Sequence, residues 1–185
     1  MSTVRILRGV DNQPVEAILL GLTQKHVEDF TNQWQPPLIQ ATQTDKFWDW
    51  AFKRRITSTR DNYEGYAIEC EGTTQGLMML ETRQHRTQFR PGRRLVYISA
   101  VSVAPWNRQQ LQQPPRFRTI GTALLEFARS RSTDLGYEGC IGLHALPGAE
   151  GFYERLNMMR FDPLPEDIID ADDELLPYFE YPPRQ

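Results

Sequence analysis

The residues with the clearest chemical potential form a short run, Arg118 to Ala123, at the start of an apolar helical pattern. Gly121 falls where this helix is predicted to begin, and a glycine there lets the backbone approach a ligand closely. The first-turn N–H groups of a helix have no partner inside the helix, and the helix dipole places partial positive charge at that end. Arg118 adds a full charge beside them. This combination is typical of a site that binds a pyrophosphate.

Two elements have to position this run. Residues Leu95 to Ala104 are rich in β-branched side chains, which predicts a largely buried strand before the loop. After the loop, apolar residues recur on one helical stripe as far as Leu135, and Gly136 suits the C-terminal cap. A strand, a loop and a helix in this order also occur in ordinary α/β packing, so the run alone leaves that second interpretation open.

A further pattern lies downstream, where Ala149-x-x-Phe152-Tyr153-Glu154-x-Leu156 predicts a late helix. Together with Val103-Ala104-Pro105 at the end of the strand and the Arg118–Ala123 loop, its order and spacing resemble the GCN5-related N-acetyltransferase (GNAT) superfamily. The resemblance covers roughly residues 65 to 162. It implies an α/β (α+β) fold, with a mixed, mostly antiparallel sheet flanked by helices and a central V-shaped cleft. It also implies acetyl-CoA as co-substrate and transfer of the acetyl group to a primary amine by direct attack.

The resemblance assigns the cofactor to the loop and to the strand before it. The pantetheine arm is expected along Val101, Ser102 and Val103, with an exposed N–H near Val103 for the oxyanion that develops during transfer. No metal is expected, because the histidines at positions 26, 85 and 144 are far apart in the sequence and lack supporting cysteines. The pyrophosphate is expected at Arg116, Arg118, Thr119, Ile120, Gly121, Thr122 and Ala123.

Acetyl transfer also needs a group that protonates the leaving thiolate and a group that takes a proton from the amine. The late-helix tyrosine of the family implies Tyr153 as the acid, and a pair of core aromatics at Phe152 and Tyr153 is the alternative. Relatives often carry a glutamate on the central strand as the base, but Leu95 to Ala104 contains none. The candidates are therefore His144 on the late strand and Glu81 at the end of the preceding strand, and deprotonation relayed by water stays open.

Three departures from the family pattern bear on the site. After Pro105 the loop is lengthened by Trp106 to Phe117, which predicts a lid, part of the acceptor site or a tolerated surface loop. Leu146 stands where many relatives have an asparagine that contacts pantetheine, so that contact is expected to be absent. Asn157 replaces a glycine after the late helix, and asparagine also tolerates left-handed geometry.

The composition limits the class of protein. With 185 residues, of which 39% are hydrophobic and 24% charged, the chain suits one soluble domain with a substantial core. The net charge of −3 argues against nucleic acid as a partner, and it disfavours a toxin that acetylates aminoacyl-tRNA. The few cysteines and the lack of a signal segment or a membrane-spanning run predict a cytoplasmic protein.

The expected acceptor is a small-molecule or peptide amine, and the protein is expected to be a monomer or a homodimer. The main alternative to an enzyme is a non-catalytic sensor or scaffold that binds acyl-CoA without turnover.

Two helices are predicted between the early strands and the central hairpin. The first covers Thr23 to Gln35 and is closed by Pro36-Pro37, and the second is capped by Thr44 or Asp45. The tryptophans of the second helix are expected in the core rather than in a pocket wall. The strands predicted around these helices are Val4–Leu7, Val15–Leu22, Tyr63–Cys70 and Gln75–Thr82.

All 185 residues are assigned to a single GNAT domain, with residues 162–185 as a proline-rich, acidic C-terminal extension. Within the extension, Glu166 to Glu174 is acidic, whereas Tyr178, Phe179 and Tyr181 are aromatic. This apolar surface predicts that the extension packs on the domain or adds an edge strand.

Overall fold

The chain forms both strands and α-helices in a computed structural model, which describes residues 1–161 and 176–184. A π-helical turn, Phe30–Trp34, joins the first two helices, and a 3₁₀ turn, Pro105–Asn107, follows the fifth strand. The helices are α1 Gln24–Asp29, α2 Gln35–Gln40, α3 Trp50–Thr59, α4 Ile120–Asp134 and α5 Glu150–Arg155. The strands are β1 Ser2–Arg8, β2 Pro14–Gly21, β3 Tyr63–Cys70, β4 Thr73–Glu81, β5 Val96–Val103, β6 Phe117–Arg118, β7 Ile141–His144, β8 Met159–Phe161 and β9 Tyr178–Tyr181.

These elements make up two compact units. The first unit comprises Met1–Met79 and Ala100–Leu125, and the second comprises Leu80–Ser99 and Glu126–Gln185. Strands β4 and β5 and helix α4 contribute residues to both units. The strands pair mostly antiparallel, whereas β5 and β7 run parallel, so the predicted mixed, mostly antiparallel sheet with helices is confirmed. Among the described residues, no helix combines the length and the apolar character needed to cross a bilayer.

In the first unit the strand order is β6-β1-β2-β3-β4-β5. β1, β2 and β3 pair antiparallel, with Ile6 opposite Val15 and Leu19 opposite Ile68. Buried and exposed residues alternate along β2, as expected for a strand with one covered face. The helices and strands of this unit share one apolar core, whose buried members are Val27, Phe30, Trp34, Leu38, Trp50, Ala67, Leu77, Met79, Ala100 and Ala104.

The prediction that the first helix ends at Pro36-Pro37 is wrong. The helix continues to Gln40 through the π-helical turn, in which the Gln35 N–H bonds to the Phe30 carbonyl. Both prolines then occupy the first turn of α2, where a missing N–H costs little. The helix therefore continues through a π-helical turn before the prolines and does not end at them as predicted.

The predicted cap of the second helix is also wrong. α3 begins at Trp50 because Asp49 accepts the Phe52 N–H at 2.8 Å. Asp45, one of the two predicted caps, is instead buried and pairs with Arg108, more than sixty residues downstream. Trp50 is buried in the core of this unit, as predicted, whereas Trp48 lies before α3 and is only partly buried against the same core.

In the second unit the strand order is β5-β7-β9-β8. The parallel pairing places Val96 opposite Ile141 and Tyr97 opposite Gly142. Strand β9 pairs antiparallel with β7 on one side and with β8 on the other, so it lies inside the sheet. Of the two alternatives predicted for the C-terminal extension, packing on the domain or adding an edge strand, the edge strand is therefore wrong for these residues. The acidic stretch Glu166 to Glu174 lies outside the described residues.

Glu180 anchors β9 although its side chain is fully buried. Its carboxylate accepts hydrogen bonds from the hydroxyls of Thr87 and Tyr178, each at 2.7 Å, and from the Gln88 N–H at 3.1 Å. A buried carboxylate is costly unless such donors surround it. The loop between β4 and β5 is therefore tied to β9 through one acidic side chain.

Helix α4 lies close against β4 because residue 76 has no side chain. An ideal Cβ at Gly76 would lie 2.7 Å from Cγ2 of Ile120 and 3.0 Å from Cδ1 of Leu124. Ile120 and Leu124 are both buried at the start of α4. Gly76 therefore sets how closely the N-terminal end of α4 approaches the sheet of the first unit.

We expect Gly76→Val to lower the free energy of unfolding by about 1–3 kcal/mol, because the added side chain has to displace Ile120 and Leu124. Urea denaturation followed by circular dichroism measures this change. Gly21→Val is the matched control, since an ideal Cβ at Gly21 meets no heavy atom within 4 Å. Equal losses in the two variants would show that the approach of α4 does not depend on Gly76.

Candidate functional site

The loop predicted to hold a pyrophosphate forms the N-terminal end of α4. Thr119 has a φ of 66°, and its carbonyl accepts the first helical hydrogen bond, from the Ala123 N–H at 2.9 Å. The N–H groups of Ile120, Gly121 and Thr122 therefore fall in the first turn, where a helix offers no acceptor. Arg118 is exposed directly before this turn. Backbone donors, the positive end of the helix dipole and an arginine thus come together at one helix end.

Val101 and Val103 direct their backbone groups to the edge of β5 that faces away from β4. The Ala104 N–H bonds to the Gln75 carbonyl of β4 at 3.0 Å, and backbone groups alternate in direction along a strand. Residues 101 and 103 therefore point to the opposite edge. The N–H and carbonyl of Ser102 point towards β4. Ser102 therefore directs no backbone group to the edge at which Val101 and Val103 could bind a ligand.

Arg108, from the lengthened loop, caps the end of this strand. Its Nε donates to the Val103 carbonyl at 3.0 Å, and its Nη1 donates to Oδ1 of Asp45 at 2.9 Å. The Ser102 hydroxyl also donates to Asp45, at 2.6 Å. Burial by itself raises the pKa of Asp45, but the hydrogen bonds and the charge of Arg108 outweigh it and hold that pKa below its ordinary value. Ser102 is thus committed to a buried ion pair.

The lengthened loop, Trp106 to Phe117, is fastened to the first unit near both of its ends. Oε1 of Gln75 accepts from the Trp106 indole and from the Asn107 amide, each at 2.9 Å. Oδ1 of Asn107 in turn accepts the Phe117 N–H at 2.9 Å. These bonds hold the loop against the start of β4, and both ends of the loop adjoin elements predicted to bind the cofactor.

Arg116 lies in an open groove of about 480 Å³ that the lengthened loop borders. Its guanidinium pairs with the Glu71 carboxylate at 2.6 Å. Both side chains are largely exposed, so this pair contributes little to stability. Arg116 directly precedes β6, as its place in the sequence requires. The positive charge of Arg116, which was predicted to bind the pyrophosphate, faces the Glu71 carboxylate in this structure.

Glu81, a predicted base in the second unit, is fully buried. Its two oxygens accept the N–H groups of Arg83 and Gln84, both at 2.8 Å, and one of them lies 3.0 Å from Nδ1 of His85. This carboxylate holds the turn that follows β4.

His144, the other predicted base, lies half-buried on β7. Its Nδ1 is 2.7 Å from the hydroxyl oxygen of Tyr97 on β5. The rings of Tyr97 and Tyr178 also contact His144, with centroids 5.8 and 5.1 Å away. The hydrogen bond to Tyr97 and the contacts with these two rings therefore help to orient His144.

Tyr97 connects the two predicted bases, and sequence reasoning did not single it out. Its ring stacks on that of His85, with centroids 4.0 Å apart and 13° between the planes. Contacts thus run from Glu81 through His85 and Tyr97 to His144. The signal in the sequence is slight, since Tyr97 is one polar ring in an otherwise apolar strand segment.

Tyr153, the predicted acid, is buried on α5. Its ring lies against Phe152 and Phe179, with centroids 5.2 and 5.7 Å away. Burial raises the pKa of Tyr153, so its hydroxyl is protonated throughout the neutral range, as an acid must be. The same contacts also suit a core aromatic, the alternative that the sequence left open.

His26, the remaining histidine, is fully buried in the first unit. Its Nδ1 accepts the Thr23 N–H at 2.8 Å, and its Nε2 lies 2.9 Å from the Glu69 carboxylate. Burial lowers the pKa of His26, which keeps the ring neutral in this structural role. Among residues 1–161 and 176–184, no group of histidine, cysteine or acidic side chains is arranged to hold a metal ion.

Solved N-acetyltransferase structures share this arrangement of strands and helices. A GNAT-family acetyltransferase from Staphylococcus aureus matches with a TM-score of 0.58 and 12% identity, over 89% of this chain and 97% of the other. An N-acetyltransferase from Bacillus subtilis in complex with coenzyme A matches with 0.54 and 14%, over 98% and 97%. An aminoglycoside 6′-N-acetyltransferase from Acinetobacter baumannii matches with 0.57 and 8%, over 80% and 95%. No protein-family sequence model and no curated protein sequence matches the chain.

The chain therefore has the GNAT fold, and the fold predicted from its motifs is confirmed. At these identities the match establishes the fold, and the chemistry has to be argued from the residues of this chain.

The ion pair of Asp45 and Arg108 makes a prediction about acid stability. Because the pKa of Asp45 is lowered by folding, its contribution is present above the unfolded value of about 3.9 and is lost as the pH falls through the folded value. Asp45→Asn leaves Arg108 buried without its counter-charge, and at neutral pH it should cost about 3–5 kcal/mol of unfolding free energy. The variant should also lose less stability than the wild type on acidification below about pH 4.

Urea denaturation over a pH series measures both effects. Asp11→Asn is the control, since the pair of Asp11 with Arg8 is exposed and its loss should change stability by less than about 1 kcal/mol. An acid-induced loss of stability that is as steep in Asp45→Asn as in the wild type would assign that loss to other carboxylates.

Proposed function

We propose that the protein is an acetyl-CoA-dependent N-acetyltransferase, which moves an acetyl group from the thioester to a primary amine by direct attack. The observation that carries the proposal is the N-terminal end of α4, where first-turn donors at Ile120, Gly121 and Thr122 follow Arg118 within a GNAT fold. The coenzyme A complex of the Bacillus subtilis protein supports the choice of cofactor, because that protein has the same fold.

In this proposal the first turn of α4 holds the pyrophosphate and β5 holds the pantetheine arm. The arm contains amide groups, which suit the strand edge to which Val101 and Val103 direct their backbone. The Val103 carbonyl already accepts a hydrogen bond from Arg108, so the group that Val103 can direct to the cofactor is its N–H. An N–H donor there is what the developing oxyanion requires. Ser102 acts on this edge indirectly, by holding Asp45 and Arg108 in place.

Tyr153 is the proposed acid for the departing thiolate, and the late-helix motif is the reason for that choice. For the amine proton we favour His144 over Glu81, because both Glu81 oxygens already accept backbone hydrogen bonds in a fully buried position. His144 is half-buried, and an imidazole is the side chain most often used as a general base. The proposed acceptor is a small-molecule or peptide amine.

A first prediction concerns the cofactor. Acetyl-CoA at about 100 times its Kd should add about 2.7 kcal/mol to the unfolding free energy, and this appears as a higher melting temperature. Gly121→Asp should abolish the shift, because it places a side chain and a negative charge against the phosphates. Gly21→Asp, at an open position at the end of β2, should keep it. If Gly121→Asp folds and still binds acetyl-CoA normally, the assignment of the site is wrong.

A second prediction separates an enzyme from an acyl-CoA-binding sensor or scaffold. Tyr153→Phe keeps the ring and its packing but removes the hydroxyl, and charge on the thiolate develops only as the carbon–sulfur bond breaks. We therefore expect near-normal acetyl-CoA binding and a kcat reduced by at least about tenfold. Thiol release from acetyl-CoA across a library of amines measures turnover. Binding without turnover in the wild type would favour the sensor, and unchanged kcat in the variant would remove Tyr153 as the acid.

A further inference from the structure

We propose that Arg108 is a positioning residue for acetyl transfer, which holds the end of β5 so that the Val103 N–H stays directed at the carbonyl oxygen of the thioester. The inference rests on the proposed function. It also gives a role to the lengthened loop, which carries Arg108. Arg108, Val103 and the hydrogen-bond partners named below all lie in the first unit.

The end of β5 needs support on the edge that Val103 faces. Among the described residues, the pairing of β5 with β7 covers Val96 and Tyr97, and Val103 lies six residues beyond Tyr97. On the opposite edge, the Ala104 N–H donates to the Gln75 carbonyl of β4 at 3.0 Å. A strand end frays when few of its backbone groups are bonded. A second contact, on the Val103 side, is therefore required to fix this end.

Arg108 supplies that contact, and it holds the peptide between Val103 and Ala104 at both polar ends. The N–H of this peptide bonds to β4, whereas its carbonyl accepts from Nε of Arg108 at 3.0 Å. Because a peptide is planar, two bonds in opposite directions fix its orientation. The Val103 N–H belongs to the preceding peptide, which only the φ and ψ angles of Val103 separate from this one. Its direction therefore depends on the plane that Arg108 fixes.

The guanidinium of Arg108 is itself fully bonded. Besides the bond to Val103, Nη1 donates to Gln43 at 3.1 Å and to Asp45 at 2.9 Å, and Nη2 donates to Asp45 and, at 3.2 Å, to the Ser102 hydroxyl. All five N–H groups thus have an acceptor. Because the group is planar and rigid, the bonds made by Nη1 and Nη2 determine where Nε lies.

A lysine at position 108 would keep the charge but not this geometry. In Arg108, different atoms reach Val103 and Asp45, whereas a lysine has one nitrogen at the end of a flexible stem. The buried Asp45 carboxylate needs a counter-charge, so the lysine would pair with Asp45. Arg108→Lys should therefore retain the ion pair and lose the bond to the Val103 carbonyl.

The direction of the Val103 N–H matters most while the bonds are changing. As the amine nitrogen bonds to the thioester carbon, the π-electron pair of the carbonyl moves onto oxygen. It returns when the carbon–sulfur bond breaks, and the thiolate then takes the proton of the acid while the amine gives its proton to the base. A donor that is already in place stabilises the oxyanion without reorganisation, and a displacement of about 1 Å is costly. Arg108 should thus affect turnover more than cofactor binding.

The contact with the thioester can be measured without knowledge of the acceptor. Infrared difference spectra of acetyl-CoA that is isotope-labelled at the thioester carbonyl report the hydrogen bond, because a donor lowers the stretching frequency of the carbonyl. We expect the bound band in the wild type to lie below that of free acetyl-CoA, and to move back towards it in Arg108→Lys. A band at the free frequency in the wild type, or an unmoved band in Arg108→Lys, overturns the proposal.

Two further measurements separate positioning from loss of structure. The melting shift produced by coenzyme A, which has no thioester carbonyl, should be equal in the wild type and in Arg108→Lys. Leu19→Ala is the matched control for lost stability, since it opens a cavity in β2, which β3 and β4 separate from β5. It should lower the melting temperature without moving the infrared band or kcat.

The kinetic test uses the best amine found for the wild type. Arg108→Lys should lower kcat by at least about tenfold and change the KM for acetyl-CoA much less. Ser102→Ala removes one acceptor of the guanidinium and one donor to Asp45, so it should change the band and kcat in the same direction by less. If Arg108→Lys does not fold, Ser102→Ala provides the same test.

The outcomes distinguish this role from the proposed function. If the wild type turns over an amine and Arg108→Lys retains its kcat, the positioning role is wrong and the proposed function stands. If the wild type binds no acetyl-CoA, or binds it and acetylates no amine, the proposed function fails and the role of Arg108 fails with it.

Discussion

Among the described residues, the paired positions of β5 and β7 are Val96 with Ile141 and Tyr97 with Gly142, and the backbone groups farther along that edge of β5 require other partners. Arg108 satisfies one of them by donating to the Val103 carbonyl. The position of Arg108 depends in turn on Asp45, and Asp45 also binds the hydroxyl of Ser102. A buried ion pair, the lengthened loop and the end of the central strand thus meet at this strand edge in the first unit.

The fold was predictable because its signals are local and ordered. Arg118 to Ala123, Val103-Ala104-Pro105 and the Phe152-Tyr153 helix each follow from a few adjacent residues, and the GNAT fold predicted from them is confirmed. Contacts between residues that are far apart in the sequence were not predictable in this way. Asp45 had the appearance of a helix cap because local spacing carries no information about Arg108, its partner in the folded protein. For the same reason, Tyr97 gained significance only when His85 and His144 were found beside it.

Buried carboxylates show how tertiary environment separates chemically identical side chains. Glu81 holds a turn through backbone N–H groups, Glu180 ties a loop to β9, and Asp45 neutralises an arginine. Each is nearly inaccessible to solvent, and each is compensated by different donors. The sequence offers no means of ranking them as bases, since burial and donor geometry decide whether a carboxylate can receive a substrate proton. The site predictions for Tyr153, His144 and the Arg118–Ala123 loop stay predictions until the variants are measured.

The interior position of β9 has a consequence for biosynthesis. β7 and β8 both pair with β9, yet both leave the ribosome before residues 178–181 do. Until those residues emerge, two strand edges of the second unit have no partner, and such edges pair readily with other chains. A nascent chain stalled before Tyr178 would therefore expose the edges of β7 and β8 that β9 covers in the folded unit. These edges lie inside the finished sheet and not at its outer edge.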